Sequence, residues 1–347
     1  MLTFKPDRRH SPLESRMLPL CSEFDILGNR DWNSPKVEVL LATFNGQSFL
    51  QAQINSIVSQ TWPNVSVLVS DDGSTDETMT ILRDWERVTD RMHVLRSQPQ
   101  GGAMQNFARL IQESSASYVA FSDQDDVWDS DKLSVTMAQM LEHEGKRGKD
   151  TPILVYTDLR LIDGADRLLS PSLWRKARVR PQFATFSNML AQNLVTGCSM
   201  LANRALLDLA CPIPSQAIMH DYWLALVASA FGAAIPISRP LVSYRQHATN
   251  SIGAGRPLSI AARIERIYSD PELWRWMSCA ACQAQAFAER FKDRLSPNAL
   301  AALETVAFLP TLTCMRRLHA TVRHGVVRTE FWNELQFLAR ISIRSRK

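Results

Sequence analysis

The sequence lacks the glycine-rich motifs that commonly bind phosphate groups. Neither G-x-G-x-x-G nor G-x-x-x-x-G-K-[ST] occurs in its 347 residues, which disfavours a nicotinamide dinucleotide site and a P-loop. Its six cysteines show no framework spacing, so no disulfide scaffold is expected and a reducing cytoplasm is the predicted location. Cys279 and Cys282 form a lone CxxC pair, and without a second pair this spacing favours buried helix cysteines over a zinc or redox site.

Long apolar runs and a dominant charge are also missing. No apolar segment follows the first charged residues, so no secretory signal is expected. The longest charge-free stretch, residues 222–238, contains Gly232 and Pro236 and favours a core helix plus a strand over a membrane span. The formal charge of +4 is too small to indicate a nucleic-acid partner. Residues 315–347 nevertheless contain eight basic and two acidic side chains.

Strand and helix patterns alternate from residue 37 onward. Five strands are predicted at residues 37–42, 65–69, 92–95, 118–121 and 153–156. The segments between them have helical periodicity, which implies right-handed crossovers and a mostly parallel, Rossmann-like α/β sheet flanked by helices.

The helical pattern continues alone after about residue 256, and it is broken at Pro297 and Pro310. We therefore predict three regions, which are an N-terminal extension at 1–35, an α/β domain at 36–255 and a C-terminal helical region at 256–347.

Two loops of the predicted sheet are unusually acidic. They follow the second and fourth strands and contain Asp71, Asp72, Asp76, Asp123, Asp125 and Asp126. Ligands of open parallel sheets bind beyond the carboxyl ends of the strands, where these loops lie. Carboxylates attract a phosphate only through a cation between them, and Mg²⁺ and Mn²⁺ prefer such oxygen ligands.

Each loop alone has a simpler interpretation. Asp-Gly and Asp-Asp pairs are frequent in turns and helix caps, and Ser74 or Thr75 can cap the helix that follows the second strand. Short acidic runs are also commonly solvated. The joint occurrence of both loops directly after apolar strands favours a cation-dependent site.

A series of segments resembles family 2 glycosyltransferases of the GT-A fold. They run in order from residue 37 to about residue 250 and read LLATFNGQSFLQAQINSIVSQTWPN, VLVSDDGSTDETMTIL, FSDQDDVWDSDKL, VTGCSM, HDYWLALVASAFG and YRQHATNS. The first and third are most similar to bacterial rhamnosyltransferase-type members that use a dTDP- or UDP-activated sugar. The resemblance implies a GT-A domain followed by a C-terminal helical extension.

The resemblance also implies which residues bind the nucleotide sugar. Thr43, Phe44 and Asn45 would line the nucleotide, with Phe44 standing where the family more often has tyrosine. Asp72 or Asp71 would accept a hydrogen bond from the pyrimidine N3–H. The other residues on the nucleotide side are Gly102, Asn106, Asp123 and Arg245.

A metal centre follows from the same resemblance. Asp123 and Asp125 match the Asp-x-Asp motif, with Asp125 the better ligand and Asp123 nearer the ribose, and Asp126 could take either role. His247 would be a third ligand to Mn²⁺ or Mg²⁺, although a lone loop histidine is more often structural. Arg245 would screen the leaving diphosphate.

On the acceptor side, Asp221 matches the base position of inverting members and would deprotonate the acceptor hydroxyl. A carboxylate at the start of a helix pattern is also a common N-cap, so the residue alone leaves both roles open. His220 is either an acceptor contact or a buried hydrogen-bonding residue, and Gly197 and Cys198 would shape the acceptor floor.

The C-terminal helices combine aromatic residues with many arginines. Helices of this kind pack and dimerise, or lie on an anionic membrane surface beside a lipid-linked acceptor. A cytoplasmic protein is expected. For the C-terminal helices, the two alternatives are peripheral contact with the inner face of the cell membrane and homo-oligomerisation.

The expected activity is inverting, metal-dependent transfer of a sugar, with L-rhamnose one candidate, from a dTDP- or UDP-sugar. The acceptor would be a saccharide or lipid-linked saccharide in bacterial surface polysaccharide biosynthesis. One alternative is a sugar nucleotidyltransferase, which would need a glycine-rich triphosphate loop. Another is a catalytically silent scaffold of polysaccharide assembly, which the intact Asp123, Asp125 and Asp221 disfavour.

Overall fold

A computed structural model describes residues 34–247 and 271–341. The N-terminal extension up to residue 33, the predicted boundary near residue 255 and residues 342–347 lie outside the described part. Within it, no helix combines the length and the apolar character that crossing a bilayer requires.

The first half of the domain alternates strands and helices, as predicted. Its elements are β1 (Val37–Thr43), α1 (Leu50–Val58), β2 (Val65–Asp71), α2 (Thr78–Val88), β3 (Met92–Val94), α3 (Ala103–Glu113), β4 (Tyr118–Ser122), β5 (Val127–Trp128) and α4 (Lys132–Arg147). β1 pairs in parallel with β2 and β4, and β2 pairs in parallel with β3. The carboxyl ends of these four strands therefore meet at one edge, where the two acidic loops lie.

The second half closes the sheet with strands of both directions. It contains β6 (Ile153–Asp163), β7 (Leu168–Ser170), α5 (Leu173–Ala177), α6 (Phe186–Ala191), β8 (Met200–Asn203), α7 (Arg204–Ala210), α8 (His220–Phe231) and β9 (Ala233–Gln246). β8 lies between β4 and β6 and is antiparallel to both, while β6 and β9 are parallel. The order is β3-β2-β1-β4-β8-β6-β9-β5, with β7 paired to β6.

The charge-free stretch at residues 222–238 forms most of α8 and the start of β9, as expected. α8 is apolar on all sides, and its first nine residues are all buried. A helix of that composition belongs inside the molecule. It packs between the sheet and the C-terminal helices and thereby anchors its own first turn at the acidic edge.

The cap predicted for α2 is wrong. The helix begins at Thr78, whose backbone N–H donates to Oδ1 of Asp76 at 3.0 Å. Ser74 instead donates its hydroxyl to Oδ2 of Asp71 at 2.5 Å, because the buried carboxylate is the stronger acceptor.

The described C-terminal residues are helical, and both predicted breaks occur. The helices are α9 (Pro271–Phe291), α10 (Pro297–Phe308), α11 (Cys314–Arg323) and α12 (Phe331–Ile341), and Pro310 lies in the 3₁₀ turn Leu309–Thr311. Phe287 of α9 packs against Trp223 of α8, with ring centroids 5.3 Å apart, so this region shares the core of the sheet domain.

The two CxxC cysteines lie on α9 but are exposed, which corrects the expectation that they would be buried. The inward face of this helix is formed by Met277, Ala280 and Ala284. Cys279 and Cys282 point away from that face because they fall between these positions in the helical period.

Gly232, between α8 and β9, generates the first testable prediction. A Cβ built there would lie 1.9 Å from the carbonyl oxygen of Pro152. We expect Gly232→Ala to lower the free energy of unfolding by about 1–3 kcal/mol, because the backbone must move to admit the methyl group.

The matched control is Gly145, on the exposed side of α4, where an added Cβ meets nothing within 4 Å. Gly145→Ala should raise the free energy of unfolding by about 0.5–1 kcal/mol. Urea unfolding measures both variants, and equal stability of Gly232→Ala and wild type would contradict the clash.

Candidate active site

Asp71 organises the loop after β2. Its side chain is completely buried and accepts hydrogen bonds from the hydroxyls of Thr43 at 2.9 Å and Ser97 at 2.8 Å. It also accepts from the backbone N–H groups of Gly73 and Ser74 and from the Ser74 hydroxyl. All its acceptor capacity is used within the protein, so Asp71 joins β1, β2 and the segment after β3.

Asp72 has a different environment, although it is adjacent in sequence. Its carboxylate accepts from the backbone N–H groups of Gln100, Gly101 and Gly102, with the last at 2.8 Å. Gly102 has φ 122°, a left-handed conformation that favours glycine, and it precedes α3. Asp72 is partly exposed, whereas Asp71 is not, so Asp72 is the carboxylate of this pair that remains accessible to a ligand.

The loop after β1 presents one aromatic ring to solvent. Phe44 is 52% exposed, whereas Thr43 is buried and its hydroxyl is bound to Asp71. Asn45 has φ 49°, and its Oδ1 accepts from the backbone N–H of Thr75 at 2.9 Å. Of the three residues predicted to line the nucleotide, Phe44 is thus the one whose side chain is open for stacking.

The amide of Gln124 ties this loop to the acidic loop after β4. Its Oε1 accepts from the Phe44 N–H at 2.7 Å, and its Nε2 donates to the Phe44 carbonyl at 2.8 Å. Gly46 permits this approach, because a Cβ there would lie 2.2 Å from Oε1 of Gln124. Sequence reasoning missed Gln124, since an isolated amide inside DQDD carries no periodic signal.

Asn106 lies on the first turn of α3, where it is almost fully buried. Its Nδ2 donates to the carbonyl of Ser70 at 2.9 Å, while no donor among the described residues reaches its Oδ1. The side chain therefore fixes α3 against the end of β2.

Asp125 and His247 lie together at the outer part of the acidic loop that follows β4, residues 123–126. Oδ2 of Asp125 and Nε2 of His247 are 2.6 Å apart, and both side chains are partly exposed. The imidazole stacks on the ring of Phe49, with centroids 5.2 Å apart. The residue after β9 thus places an imidazole nitrogen directly beside a carboxylate that follows β4.

Asp123 and Asp126 form the inner part of the same loop. Their carboxylate oxygens and Sγ of Cys198 lie within 4.8 Å of one another. Burial raises the pKa of Asp123 well above its usual range, and Asp126, Asp125 and Asp221 raise it further by repulsion. Burial and the charge of Asp125 raise the pKa of Asp126 to about 7.

Lys132 is a fully buried cation beside these carboxylates. Its Nζ donates to the carbonyl of Cys198 at 2.9 Å and lies 3.1 Å from the ring centroid of Trp128. Burial lowers its pKa to about 7, while Asp126 and Asp123 act in the opposite direction. Trp128 therefore packs behind the acidic loop and supports the ammonium group.

Arg245 holds the acidic loop from behind. Its Nε donates to the carbonyl of Asp125 at 2.7 Å, and its backbone N–H donates to Oδ1 of Asp126 at 3.1 Å. The guanidinium pairs with Asp166 at 2.7 Å and lies over the Phe49 ring. The side chain is nearly inaccessible, so in this structure it positions the loop, whereas the sequence led us to expect it at the diphosphate.

Asp221 lies in the first turn of α8 and is not its N-cap, because the cap position is Met219. Oδ2 accepts from the Gly197 backbone N–H at 3.0 Å, and Oδ1 accepts from Nδ2 of Asn193 at 3.2 Å. Burial raises the pKa of Asp221 to about 6, and these donors partly oppose that increase. Asn193 was not identified from the sequence, where it lies in an otherwise ordinary turn.

His220 is buried between aromatic rings and makes no hydrogen bond among the described residues. It stacks on Phe107 with centroids 4.1 Å apart, and burial lowers its pKa to about 3, so the ring is neutral. Gly197 leaves room for it, because a Cβ there would be 3.0 Å from Nε2 of His220. Cys198 is fully buried against the inner carboxylates, so of the predicted acceptor-floor pair only Gly197 adjoins Asp221.

The acidic loop has the donor set that a hard dication requires. Asp125 and His247 supply oxygen and nitrogen atoms 2.6 Å apart, and the carboxylate oxygens of Asp123 and Asp126 lie within 4.8 Å of each other and of Sγ of Cys198. No N–H or O–H donor of the described residues reaches the buried Oδ2 of Asp126. A divalent cation would offset the repulsion that contributes to the raised pKa values of Asp123 and Asp126, so the residues fit Mn²⁺ or Mg²⁺.

Comparison with known proteins identifies relatives of the α/β domain. Residues 38–153 match the sequence model of Glycosyl transferase family 2. The putative teichuronic acid biosynthesis glycosyltransferase TuaG of Bacillus subtilis is 25% identical over 264 residues, which cover 75% of this chain and 98% of TuaG. The dTDP-rhamnosyl transferase RfbG of Shigella flexneri is 28% identical over 242 residues, which cover 65% of this chain and 78% of RfbG.

A solved structure shares the fold. S. aureus TarS 1-349 in complex with UDP-GlcNAc superposes with a TM-score of 0.53 at 15% identity, over 83% of this chain and 80% of that chain. The likeness agrees with a GT-A arrangement of the sheet and its flanking helices.

The hydrogen bonds of Asp71 give the second prediction. Asp71→Asn places an amide nitrogen among hydroxyl and N–H donors, so we expect the free energy of unfolding to fall by about 1.5–3 kcal/mol. Ser97→Ala removes one donor to the same carboxylate and should cost about 1 kcal/mol. Both are measured by urea unfolding, and a smaller loss for Asp71→Asn than for Ser97→Ala would show that Asp71 does not organise the loop.

Proposed function

We propose that this chain, which has a GT-A fold, is a family 2 glycosyltransferase that transfers a sugar from a dTDP- or UDP-sugar to a saccharide with inversion at the anomeric carbon. The family match favours this activity over the nucleotidyltransferase alternative. The proposed process is bacterial surface polysaccharide biosynthesis, which the name of TuaG, a putative teichuronic acid biosynthesis glycosyltransferase, supports.

One observation carries this proposal. The backbone N–H of Gly197 donates to Oδ2 of Asp221 at 3.0 Å, and Sγ of the next residue, Cys198, lies within 4.8 Å of the carboxylate oxygens of Asp123 and Asp126. A carboxylate from α8 and the acidic loop after β4 are thus linked through two adjacent residues, although they are far apart in sequence. That arrangement suits a reaction in which a base acts on one side of a sugar and the leaving diphosphate departs on the other.

Asp221 is the proposed general base. Its carboxylate removes the proton of an acceptor hydroxyl while the hydroxyl oxygen forms a bond to the anomeric carbon. The bond from that carbon to the diphosphate oxygen breaks, and the electron pair leaves with the nucleoside diphosphate. Asn193 and the Gly197 N–H orient the carboxylate without neutralising it.

Phe44 and Asp72 are the proposed contacts of the nucleotide base. The exposed Phe44 ring offers a stacking surface, and the Asp72 carboxylate can accept the pyrimidine N3–H. Asp125 and His247, with Asp123, would hold a divalent cation, which when bound neutralises the charge of the diphosphate. The similarity to RfbG supports dTDP-L-rhamnose as the donor to test first.

The third prediction concerns the base. Asp221→Asn should lower kcat by about 10²- to 10⁴-fold, because the amide cannot accept the proton but keeps an oxygen for the Gly197 N–H. In the wild type the base is ionised above its pKa of about 6, so log kcat should rise with pH below about 6 and level off above it.

A steady-state pH profile with dTDP-rhamnose and a saccharide primer provides this measurement. Asp208→Asn on α7, a largely exposed carboxylate, is the control and should leave the rate unchanged. Undiminished turnover by Asp221→Asn, or a rate that falls as pH rises through about 6, would rule out the assignment.

The fourth prediction concerns the donor and the cation. A thermal-shift series with dTDP and UDP should show stabilisation that depends on Mn²⁺, about 2.7 kcal/mol at a ligand concentration 100-fold above Kd. His247→Ala should lose the Mn²⁺-dependent part because it removes one proposed ligand. Asp131→Asn, whose partner is Arg239 outside the acidic loop, should keep it. Equal stabilisation with and without Mn²⁺ would contradict the metal assignment.

A further inference from the structure

Two acid-free segments of the chain carry an excess of basic residues. Residues 167–207 include six basic side chains, and residues 305–329 include four arginines, with no Asp or Glu in either run. The chain as a whole has 39 basic and 35 acidic residues, so both segments are more positive than its average.

The two segments meet in the structure. The backbone N–H of Arg180 donates to Oγ1 of Thr329 at 3.1 Å, and Nδ2 of Asn188 donates to the carbonyl of Val327 at 2.7 Å. A cleft of about 360 Å³ is lined by Phe186 from the first segment and His324 from the second. The two acid-free runs are therefore in contact around residues 180–188 and 324–329.

The basic side chains at this junction are exposed together with apolar ones. We define the basic face by six exposed residues, which are Arg175, Lys176, Arg180, Phe183, Val322 and Arg323. Phe183 is 65% exposed and Val322 55% exposed.

The outer side of α11 continues this face. Met315, His319 and Val322 recur at helical spacing on its exposed side, while Arg317 is buried and donates its Nε to the carbonyl of Leu309. The exposed side of α11 therefore combines the apolar side chains of Met315 and Val322 with the basic side chains of Arg316 and Arg323.

We propose that the basic face docks the enzyme on an anionic phospholipid bilayer. Arginine and lysine match the negative headgroups, and the protruding Phe183, Met315 and Val322 can enter the headgroup region. A two-fold contact with a second copy would place basic residues against basic residues. A nucleic acid would match the charge but leaves the exposed aliphatic side chains without a role.

The basic face also adjoins the acceptor side of the site. α6 leads directly from it to Asn193, which donates to Asp221, and the Tyr222 hydroxyl donates to the carbonyl of Leu190 on α6. Docking through this face would hold the proposed base beside the bilayer surface. A saccharide carried on a membrane lipid could then reach Asp221 while its lipid remains in the bilayer.

Vesicle flotation of the full chain tests the proposal. Recovery is expected with vesicles of phosphatidylcholine plus phosphatidylglycerol, but not with phosphatidylcholine alone, and it should fall at high salt. Arg175→Glu combined with Lys176→Glu should weaken binding at least about tenfold. Phe183→Ser should also weaken it, at unchanged net charge.

The matched control is Arg83→Glu combined with Arg87→Glu on α2, which makes the same charge change on another exposed helix and should float like wild type. Arg323→Glu provides a second variant of the basic face, and thermal unfolding verifies that each variant is folded. The proposal is overturned by equal recovery with uncharged vesicles, by unchanged recovery of the Arg175 and Lys176 variant, or by binding to an RNA oligonucleotide in place of vesicles. Flotation requires no turnover, so its failure leaves the transferase assignment intact, and an inactive protein that floats supports docking alone.

Discussion

Burial of carboxylates at one edge of the sheet is the main physical constraint on this protein, and repulsion adds to it at Asp123 and Asp126. Three carboxylates at this edge have different partners. Asp71 receives hydroxyl and backbone donors, Asp125 has His247 beside it, and Asp126 receives a backbone N–H and lies near the buried Lys132. These interactions fix the loops after β2 and β4, because each donor comes from a different part of the chain.

Compensation is incomplete at Asp126, whose pKa is raised to about 7, and at Asp123 and Asp221, whose pKa values are also raised. In the proposed reaction, Asp123 would lie beside a dication. Asp221, with a pKa of about 6, would be ionised near neutral pH and able to accept a proton. Arg245 fixes the backbone of the acidic loop, since its guanidinium is bound to Asp166 and to the Asp125 carbonyl.

The sequence predicted the parallel half of the sheet because β1, β2 and β4 are continuous apolar runs between turns. β8 escaped prediction, since Met200–Asn203 is short and follows the small residues of Gly197–Ser199. The sequence motifs identified Asp125, His247 and Asp221 as candidate site residues. They did not distinguish Asp71 from Asp72, because the different environments of these two residues depend on tertiary hydrogen bonds. The positioning role of Arg245 likewise depends on Asp166, a hairpin residue with no local signal.

The double hydrogen bond between Gln124 and Phe44 couples two loops that lie on different strands. A different sugar-nucleotide donor that displaces Phe44 would therefore also displace Gln124, between Asp123 and Asp125. Loop grafting to alter nucleotide preference has to treat residues 44–46 and 123–126 as a single module, because exchanging either alone would leave the other without its partner.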